Sequence, residues 1–263
     1  MPELSSHNLL FSFSGFLVGL LVGQTGVGGG SLMTPILVLL FGIHPTAAVG
    51  TDLLYACVTK SVGTLVHGKH KTVDWRIVRR LAIGSVPAAL ATLAFMSIPA
   101  MRMGEQGNRI VAVCLGIALL LTSISLVFRH RVVALSARFA DGTLSRHTAS
   151  MTIATGALLG LFVTVSSVGA GALGVTALLF LYPRLPTSTI VGSDIAHAVP
   201  LTLVAGLGHW WLGSVDTVLL LSLLFGSIPG VILGSQLSVR VPDVVLRLLL
   251  ASVLALVGAR LVF

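Results

Sequence analysis

Long runs without a charged residue set the strongest constraint on how this 263-residue chain folds. Such runs cover residues 4–51, 81–101, 110–128, 147–183, 195–215 and 217–239. A helix needs about 20 consecutive apolar residues to cross roughly 30 Å of hydrocarbon. Only 9% of the residues are Asp, Glu, Lys or Arg, whereas soluble domains carry about 25%. The sequence therefore predicts an all-α, polytopic membrane protein and argues against a soluble enzyme or a nucleic-acid-binding domain.

The first charge-free run contains a glycine cluster that interrupts it. Residues 10–41 are too many for one crossing, and the cluster at residues 26–30 disfavours a continuous helix. We therefore predict two short helices that meet at a break. Because non-helical backbone inside a membrane needs protein or a water-filled cavity around it, the break indicates a cavity. Residues 149–181 repeat this pattern around Gly169-Ala170-Gly171.

An internal repeat relates the two halves of the chain. A shift of 142 positions, without gaps, aligns three short motifs and one histidine. The matched pairs are residues 50–52 with 192–194, His67 with His209, residues 73–74 with 215–216, and residues 84–87 with 226–229. A shift of 141 positions places the first glycine cluster, residues 27–32, on residues 168–173. Two homologous halves are the most economical interpretation.

The distribution of lysine and arginine predicts how the halves are oriented. Residues 67–80 carry five of these side chains and residues 129–147 carry four, so both segments should be cytoplasmic. An odd number of crossings in each half inverts the second half and places 12 lysine and arginine side chains inside and three outside. An even number of crossings places 10 of these side chains inside and five outside. The inverted arrangement agrees better with the positive-inside rule. It also places Trp210 and Trp211 at the outer interface, where tryptophan is favoured.

The two glycine breaks predict a transport site. Inverted repeats with broken helices at matching positions are typical of secondary transporters, whose sites lie near the midplane at the repeat interface. A helix that begins at a break directs backbone N–H groups and its positive dipole end into the cavity, which suits an anion. Close helix packing is the alternative role of glycine, but the duplication of the break favours function. The predicted anion-binding residues are Thr25, Gly28, Gly30, Ser31, Lys60, Ser166, Ser167, Gly169 and Gly171.

Four ionisable residues lie within predicted spans. Asp52 and Asp194 each follow a proline at the start of a helix by about two turns, and an intramembrane ionisable residue is a functional-site hypothesis by default. We predict that both aspartates act in coupling or gating; a structural cap for the broken helix is the alternative. His197 either joins Asp194 in a proton step or is a hydrogen-bonded structural histidine. Lys60 either binds the anion or extends to the cytoplasmic interface.

Two further motif pairs have structural interpretations. Asp74 and Asp216 immediately precede apolar helical runs, which is the usual position of an N-cap. The repeated motif at residues 84–87 and 226–229 is interpreted as a kink and a close contact without added chemistry.

An enzyme or a metal site finds less support in the sequence. His67 and His70 lie on the opposite side of the membrane from His209 in the inverted topology, so a shared metal site is not predicted. No prosthetic cofactor or catalytic residue is predicted. The enzymatic alternative is an intramembrane aspartyl protease with Asp52 and Asp194 as its dyad, although the glycine breaks would then have no role.

Together these motifs resemble the sulfite exporter TauE/SafE family of bacterial membrane transporters. The resemblance covers essentially the whole chain. It rests on GVGGGS at residues 26–31 followed by Pro35, GTDLL at 50–54 with HGK at 67–69 and VDW at 73–75, and GSDIAHAVP at 192–200. It implies a two-repeat carrier in the plasma membrane that moves sulfur-containing oxyanions or organosulfonates, such as sulfite or sulfoacetate, usually outward. Ala170 and Ala172 replace Gly29 and Ser31 of the first half, so the second break is less polar.

The resulting prediction divides the chain into two transmembrane repeats, residues 1–128 and 148–263, joined by a basic cytoplasmic linker at residues 129–147. Each repeat comprises a re-entrant broken-helix hairpin and three longer transmembrane helices. The predicted function is export of a small sulfur-containing anion by alternating access across a bacterial inner membrane. A passive anion channel is an open alternative. The predicted partners are the anion and the lipid bilayer, with protons and a second copy of the chain as further candidates; nucleic acid is not a predicted partner.

Overall fold

The computed structural model describes residues 2–25, 30–98, 105–138, 144–237 and 243–262, and these segments contain α-helices and no strand. Their helices are α1 (Pro2–Thr25), α2 (Gly30–Leu39), α3 (Pro45–Lys69), α4 (Trp75–Met96), α5 (Glu105–Arg138), α6 (Leu144–Ser166), α7 (Ala172–Leu181), α8 (Thr187–Trp211), α9 (Thr217–Leu237) and α10 (Asp243–Val262). The bounds of α2 and α3 recur 142 positions later as those of α7 and α8. The predicted linker, residues 129–147, includes the end of α5 and the start of α6, and the division of the chain there stays a prediction.

Within the described segments, five helices are long and apolar enough to cross a membrane. Their apolar segments are Trp75–Met96, Gly107–Arg129, His147–Ser166, Thr187–Trp211 and Thr217–Gly234. Leu9–Val22, Ala172–Leu181 and Leu250–Val262 are shorter apolar helical segments. The prediction of an all-α membrane protein is confirmed at this level.

The helices before and after each glycine cluster have unequal lengths. In each half a helix of 24 or 23 residues, α1 or α6, precedes a helix of 10 residues, α2 or α7. The prediction of two short helices is therefore wrong for the first arm, because the helix begins well before the apolar run that defined it. Residues 26–29, which include the predicted site residue Gly28, lie outside the described residues.

The hydrophobic core crosses the boundary between the halves. One cluster joins α1, α2 and α3 of the first half to α9 of the second, with Val18, Leu37 and Leu219 at its centre. The equivalent cluster joins α6, α7 and α8 of the second half to α4 of the first, around Leu159, Leu179 and Ile77. The fourth helix of each half thus completes the core of the other half.

Equivalent helices of the two halves run antiparallel where they meet. Near the start of α3, Leu54 contacts Gly206 near the end of α8, whereas Gly63 farther along α3 approaches Ile195 near the start of α8. On the other side of the molecule, Gly116 of α5 meets Gly258 of α10, and the Ser123 Oγ of α5 donates to the Ala251 carbonyl of α10 over 2.7 Å. The pairings α3 with α8 and α5 with α10 therefore have opposite chain directions.

Candidate functional site

The second glycine break is a five-residue turn between α6 and α7. Ser166 closes α6: its Oγ donates to the Phe162 carbonyl over 2.6 Å and accepts from the Val168 N–H over 3.2 Å. Gly169 and Gly171 have φ angles of +126° and +127°, which side-chain-bearing residues rarely adopt. Ser167 has a φ of +58°, an uncommon left-handed conformation for a residue other than glycine. The break is thus a specific backbone conformation with two obligatory glycines.

Lys60 of α3 projects into the second break. The lysine is only 5% exposed, and its Nζ donates to the Ala170 carbonyl over 2.9 Å. This position removes the alternative in which the side chain extends to the cytoplasmic interface. Where burial is described, no other lysine or arginine is buried. The ammonium of the first half therefore lies at the break of the second half.

Asp52 connects the short helix of its own half to the break of the other half. The Thr34 hydroxyl of α2 donates to Asp52 Oδ2, and both residues are fully buried. The Ser167 side chain also lies against the Asp52 carboxylate. Ser167 Oγ and Asp52 Oδ1 nevertheless have no hydrogen-bond partner among the described residues. Asp52 is therefore more than a cap for α2, because it faces both halves.

Asp194 occupies the position equivalent to Asp52 but has different neighbours. Its carboxylate lies beside the backbone of Gly171, the N-cap of α7, and packs against Gly174 in the first turn of that helix. Neither carboxylate oxygen has a hydrogen bond of standard geometry to a described residue. Lys60 interacts electrostatically with both aspartates, and more strongly with Asp194 than with Asp52. Two buried carboxylates thus share one buried ammonium.

His197 is held by a serine from the repeated Gly-Ser-X-Pro motif. The His197 Nε2 and the Ser85 Oγ of α4 lie 2.8 Å apart, and both side chains are fully buried. The equivalent pair is Tyr55 of α3 and Ser227 of α9, whose side chains adjoin without a hydrogen bond of standard geometry. The interpretation of these motifs as close contacts is confirmed at Gly84 and Gly226, and Ser85 adds a hydrogen bond to the histidine.

The predicted caps are confirmed and also connect the halves. Asp74 Oδ1 accepts from the Arg76 N–H over 2.9 Å, and Asp216 Oδ1 accepts from the N–H groups of Val218 and Leu219 over 3.0 Å. In addition, the Asp74 N–H donates to the Ser193 Oγ over 2.9 Å. The equivalent bond runs from the Asp216 N–H to the Thr51 Oγ1 over 3.1 Å. Each loop is therefore tied to the aspartate-bearing helix of the opposite half.

The predicted site residues divide into three groups. Lys60, Asp52, Ser167 and Asp194 meet around the second break, with Ser166, Gly169 and Gly171 forming its backbone. His197 lies one turn farther along α8 from Asp194. Thr25 ends α1 and Gly30 begins α2, but the side chains of Thr25 and Ser31 lie outside the described part of the structure.

Sequence reasoning missed three residues of this region. Thr34, Tyr55 and Ser85 are buried and contact Asp52, Ser227 and His197, respectively. The 142-position shift was a signal for two of them, because it pairs Thr34 with Thr176 and Ser85 with Ser227. A hydroxyl residue at the same position of both halves, within an otherwise apolar helix, would have indicated these two residues.

The histidines outside this cluster have local partners. His209 Nε2 lies 2.9 Å from the Thr164 carbonyl oxygen, and His67 Nδ1 lies 2.8 Å from the Thr72 Oγ1. In the described part of the chain, no three His, Cys, Asp or Glu side chains are grouped to hold a metal ion.

A protein-family model matches the sequence of this chain along nearly its full length. The model described as "Sulfite exporter TauE/SafE" matches residues 11–261. The chain belongs to this family. The resemblance noted in the glycine and aspartate motifs is thereby confirmed, and the protein is a helical membrane transporter of the TauE/SafE family.

Relatives of this TauE/SafE protein occur in bacteria and archaea. The probable membrane transporter protein YjnA of Bacillus subtilis (strain 168) is 38% identical over 258 residues, which is 94% of this chain and 97% of the relative. YdhB of the same organism, also described as a probable membrane transporter protein, is 28% identical over 94% of this chain and 97% of its own. The probable membrane transporter protein MJ0441 of Methanocaldococcus jannaschii is 26% identical, and the match covers 93% of this chain and 91% of the relative. No solved structure matches the chain. Membership in a transporter family argues against the protease interpretation of the two aspartates.

Proposed function

We propose that the protein is a secondary transporter that exports a small sulfur-containing anion, sulfite or an organosulfonate, across the bacterial inner membrane. The observation that carries this proposal is the buried Lys60 ammonium at the Ala170 carbonyl of the second break. A buried ammonium beside a helix that begins at a glycine break provides a positive charge and backbone N–H groups for an oxyanion. The family description, which names sulfite, supports this choice of cargo.

In the proposed bound state, the anion lies between Lys60 and the first turn of α7 and displaces the Asp194 carboxylate from the Gly171 backbone. The ammonium exchanges the neutral Ala170 carbonyl for an oxyanion oxygen, which is the stronger hydrogen bond because the acceptor is charged. Gly169 and Gly171 supply the backbone conformation of the break beside which the anion would lie. Ser166 adds little as a donor, because its hydroxyl already serves the end of α6.

The second half is inverted relative to the first in this proposal. The antiparallel pairing of α3 with α8 and of α5 with α10 supports that orientation, because an axis in the membrane plane reverses equivalent helices. A repeat related by an axis along the membrane normal would keep them parallel. The distribution of lysine and arginine favours the same orientation.

Alternating access would then move structural units that differ from the sequence halves. Because α9 completes the core of α1, α2 and α3, those four helices form one candidate unit. The other comprises α4, α6, α7 and α8. The hydrogen bond from the Asp74 amide to Ser193 lies within the second unit and the one from the Asp216 amide to Thr51 lies within the first, so both would persist while the units move. A passive channel would need no such alternation.

Flux in proteoliposomes tests the proposal. The purified protein is reconstituted, and uptake of radiolabelled sulfite and, separately, sulfoacetate is measured with and without a pH gradient or a membrane potential. Saturable uptake that is accelerated by unlabelled anion inside the vesicles identifies a carrier, because a channel shows no such acceleration from the opposite side. An inside-negative potential should assist outward movement of an anion by about 2.3 kcal/mol per charge per 100 mV.

Empty vesicles and vesicles with the Lys60→Ala variant are the controls. We expect flux of at least one of the two anions with the wild type and its loss in the variant. Absence of flux of either anion under every gradient would refute the sulfur-anion cargo. Equal, unsaturable flux in wild type and variant would refute the assignment of Lys60.

A further inference from the structure

We propose that Asp52, Thr34 and Ser167 form a binding site for one sodium ion at the junction of the two halves. The inference rests on the proposed transport function and names its coupling ion. The three residues come from α3, α2 and the second break, so the ion would lie where the short helix of one half meets the break of the other.

Unsatisfied buried oxygens are the first observation. Asp52 Oδ1 and Ser167 Oγ have no hydrogen-bond partner among the described residues, although the serine side chain lies against the carboxylate. Asp52 is fully buried, and Ser167 is 95% buried because only 5% of it is exposed. Buried polar atoms normally have partners, since each unsatisfied group costs about 1–3 kcal/mol. A cation bound between the two oxygens would satisfy both.

The conformation of Ser167 is the second observation. Its φ of +58° lies in the left-handed region, next to glycines at which such angles carry no penalty. A serine in this conformation costs free energy that glycine would avoid, and such strain collects at functional positions. The strained backbone is the one that turns the Ser167 side chain toward Asp52.

The charge balance of the cluster is the third observation. Asp52, Asp194 and Lys60 sum to one negative charge when all three are ionised. Lys60 lies near both aspartates, and it is the one buried lysine or arginine among the residues whose burial is described. An uncompensated buried charge is strongly unfavourable. The two carboxylates therefore lack one positive charge between them, and Asp52 is the one with hydroxyl oxygens beside it that a cation could use as further ligands.

The ligand chemistry favours sodium over a larger or softer ion. A carboxylate oxygen and two hydroxyl oxygens are hard ligands, which suit hard cations. Unwound backbone in broken-helix transporters supplies further carbonyl oxygens to sodium. A monovalent cation brings the summed charge of Asp52, Asp194 and Lys60 to zero. An anion can then approach Lys60 without net repulsion. Sodium and the anion would consequently bind with positive cooperativity.

Sodium-dependent stability of the purified full chain is the test. The thermal midpoint Tm is measured in detergent while NaCl replaces choline chloride at constant ionic strength. A ligand that binds only the folded state raises Tm in a saturable way. We expect this rise in the wild type, its loss in Asp52→Asn, and a half-saturating sodium concentration at least about tenfold higher in Ser167→Ala, since 1.4 kcal/mol corresponds to a factor of ten.

Thr176→Val is the matched control. Thr176 lies 142 positions after Thr34 on the equivalent short helix, but its hydroxyl pairs with Ser125 at 2.6 Å and faces no aspartate in the observed contacts. This variant should keep the sodium response, whereas Thr34→Val should weaken it. Direct binding of radioactive sodium by the wild type should saturate at one ion per chain, which keeps the proposal testable if Asp52→Asn does not fold.

The outcomes separate this inference from the proposed cargo. A Tm that is the same in sodium and choline would overturn the sodium site and leave a proton as the coupling ion, even where sulfite flux is observed. An equal sodium response in wild type and Ser167→Ala would overturn it as well. Sodium binding without flux of either anion would sustain the site and refute the cargo.

Discussion

The two halves carry aspartates at equivalent positions but give them different surroundings. Asp52 accepts the Thr34 hydroxyl and faces Ser167, whereas Asp194 lies beside the glycine backbone at the start of α7. A second difference lies eight residues after each aspartate, where Lys60 in α3 corresponds to Thr202 in α8. The Thr202 hydroxyl donates within its own helix to the Ala198 carbonyl over 2.8 Å, while Lys60 crosses to the opposite half.

This comparison teaches that duplication supplied a symmetric scaffold and that single substitutions made the site asymmetric. The caps, the glycine contacts and the two cores recur at equivalent positions in both halves. The positive charge occurs at one of two equivalent positions. In our proposal, one break thereby acquires an ammonium that binds an anion, and Asp52 becomes available for a cation.

The largest expected effect comes from removing the asymmetric charge. Lys60→Ala should lower the free energy of unfolding by about 4 kcal/mol, because it removes the buried positive charge near two buried carboxylates and leaves the Ala170 carbonyl without its donor. Thr202→Ala, at the equivalent position, should have a smaller effect, since its hydroxyl is uncharged and donates to the Ala198 and Val199 carbonyls of its own helix. Thermal and denaturant unfolding of the purified variants in detergent measures both.

A double-mutant cycle sharpens the same comparison. Adding Asp194→Asn to Lys60→Ala should recover more stability than adding Asp52→Asn, because the Asp194 carboxylate and the Lys60 ammonium both lie at the backbone of the second break. Equal recovery by the two aspartate variants would show that the ammonium serves both carboxylates alike, contrary to our assignment.

Helix contacts test the symmetric part of the comparison. Gly84 of α4 lies against the Ile153 carbonyl of α6, and Gly226 of α9 lies against the Ser12 carbonyl of α1. A methyl group at either position would collide with backbone, so Gly84→Ala and Gly226→Ala should each cost about 3 kcal/mol. Gly68→Ala is the control, because its added Cβ would meet nothing within 4 Å. Very different losses of Tm for the two contact variants would break the proposed equivalence.

The serines of the repeated motif should differ. Ser85→Ala removes the partner of His197 Nε2 and should lower stability by about 2 kcal/mol, the cost of a buried unsatisfied group. Ser227→Ala should cost less, because its hydroxyl makes no hydrogen bond of standard geometry to the described residues. Unfolding of the two variants side by side measures the difference, and a larger loss for Ser227→Ala would contradict it.

The smallest effects are expected at the caps. Asp74→Ala and Asp216→Ala should each cost about 1 kcal/mol, the usual contribution of an N-cap side chain. The cross-half hydrogen bonds use the backbone N–H groups of these residues and so survive the substitution. A Tm loss as large as that of Gly84→Ala would mean that the carboxylates do more than cap their helices.

The sequence alone predicted the scaffold because its signals are local or repeated. Charge-free runs marked the apolar helices, prolines and aspartates marked helix starts, and the fixed shift marked the equivalence of the halves. The length of α1 was missed, because the polar residues Ser5, Ser6 and His7 lie outside the apolar run yet inside the helix.

The site was predictable in its residue types but not in its pairings. Lys60 and Asp194 were singled out by charge within apolar segments, yet a sequence cannot show that Lys60 reaches the break of the other half. The exchange of α4 and α9 between the two cores was equally hidden, because it depends on contacts between residues far apart in the sequence, such as Gly84 with Ile153 and Gly226 with Ser12. Thr34 and Ser85 escaped notice because a single hydroxyl in an apolar helix usually bonds to its own backbone.

Equilibrium binding of sulfite to the purified protein tests the central claim most directly, namely that Lys60 and the second break form the anion site. Binding is measured by calorimetry for wild type, Lys60→Ala and Thr202→Ala in sodium-containing buffer. We predict saturable binding by the wild type and by Thr202→Ala, and affinity at least about 100-fold weaker in Lys60→Ala, which corresponds to a loss of about 2.8 kcal/mol. Unchanged affinity in a folded Lys60→Ala protein would contradict the account.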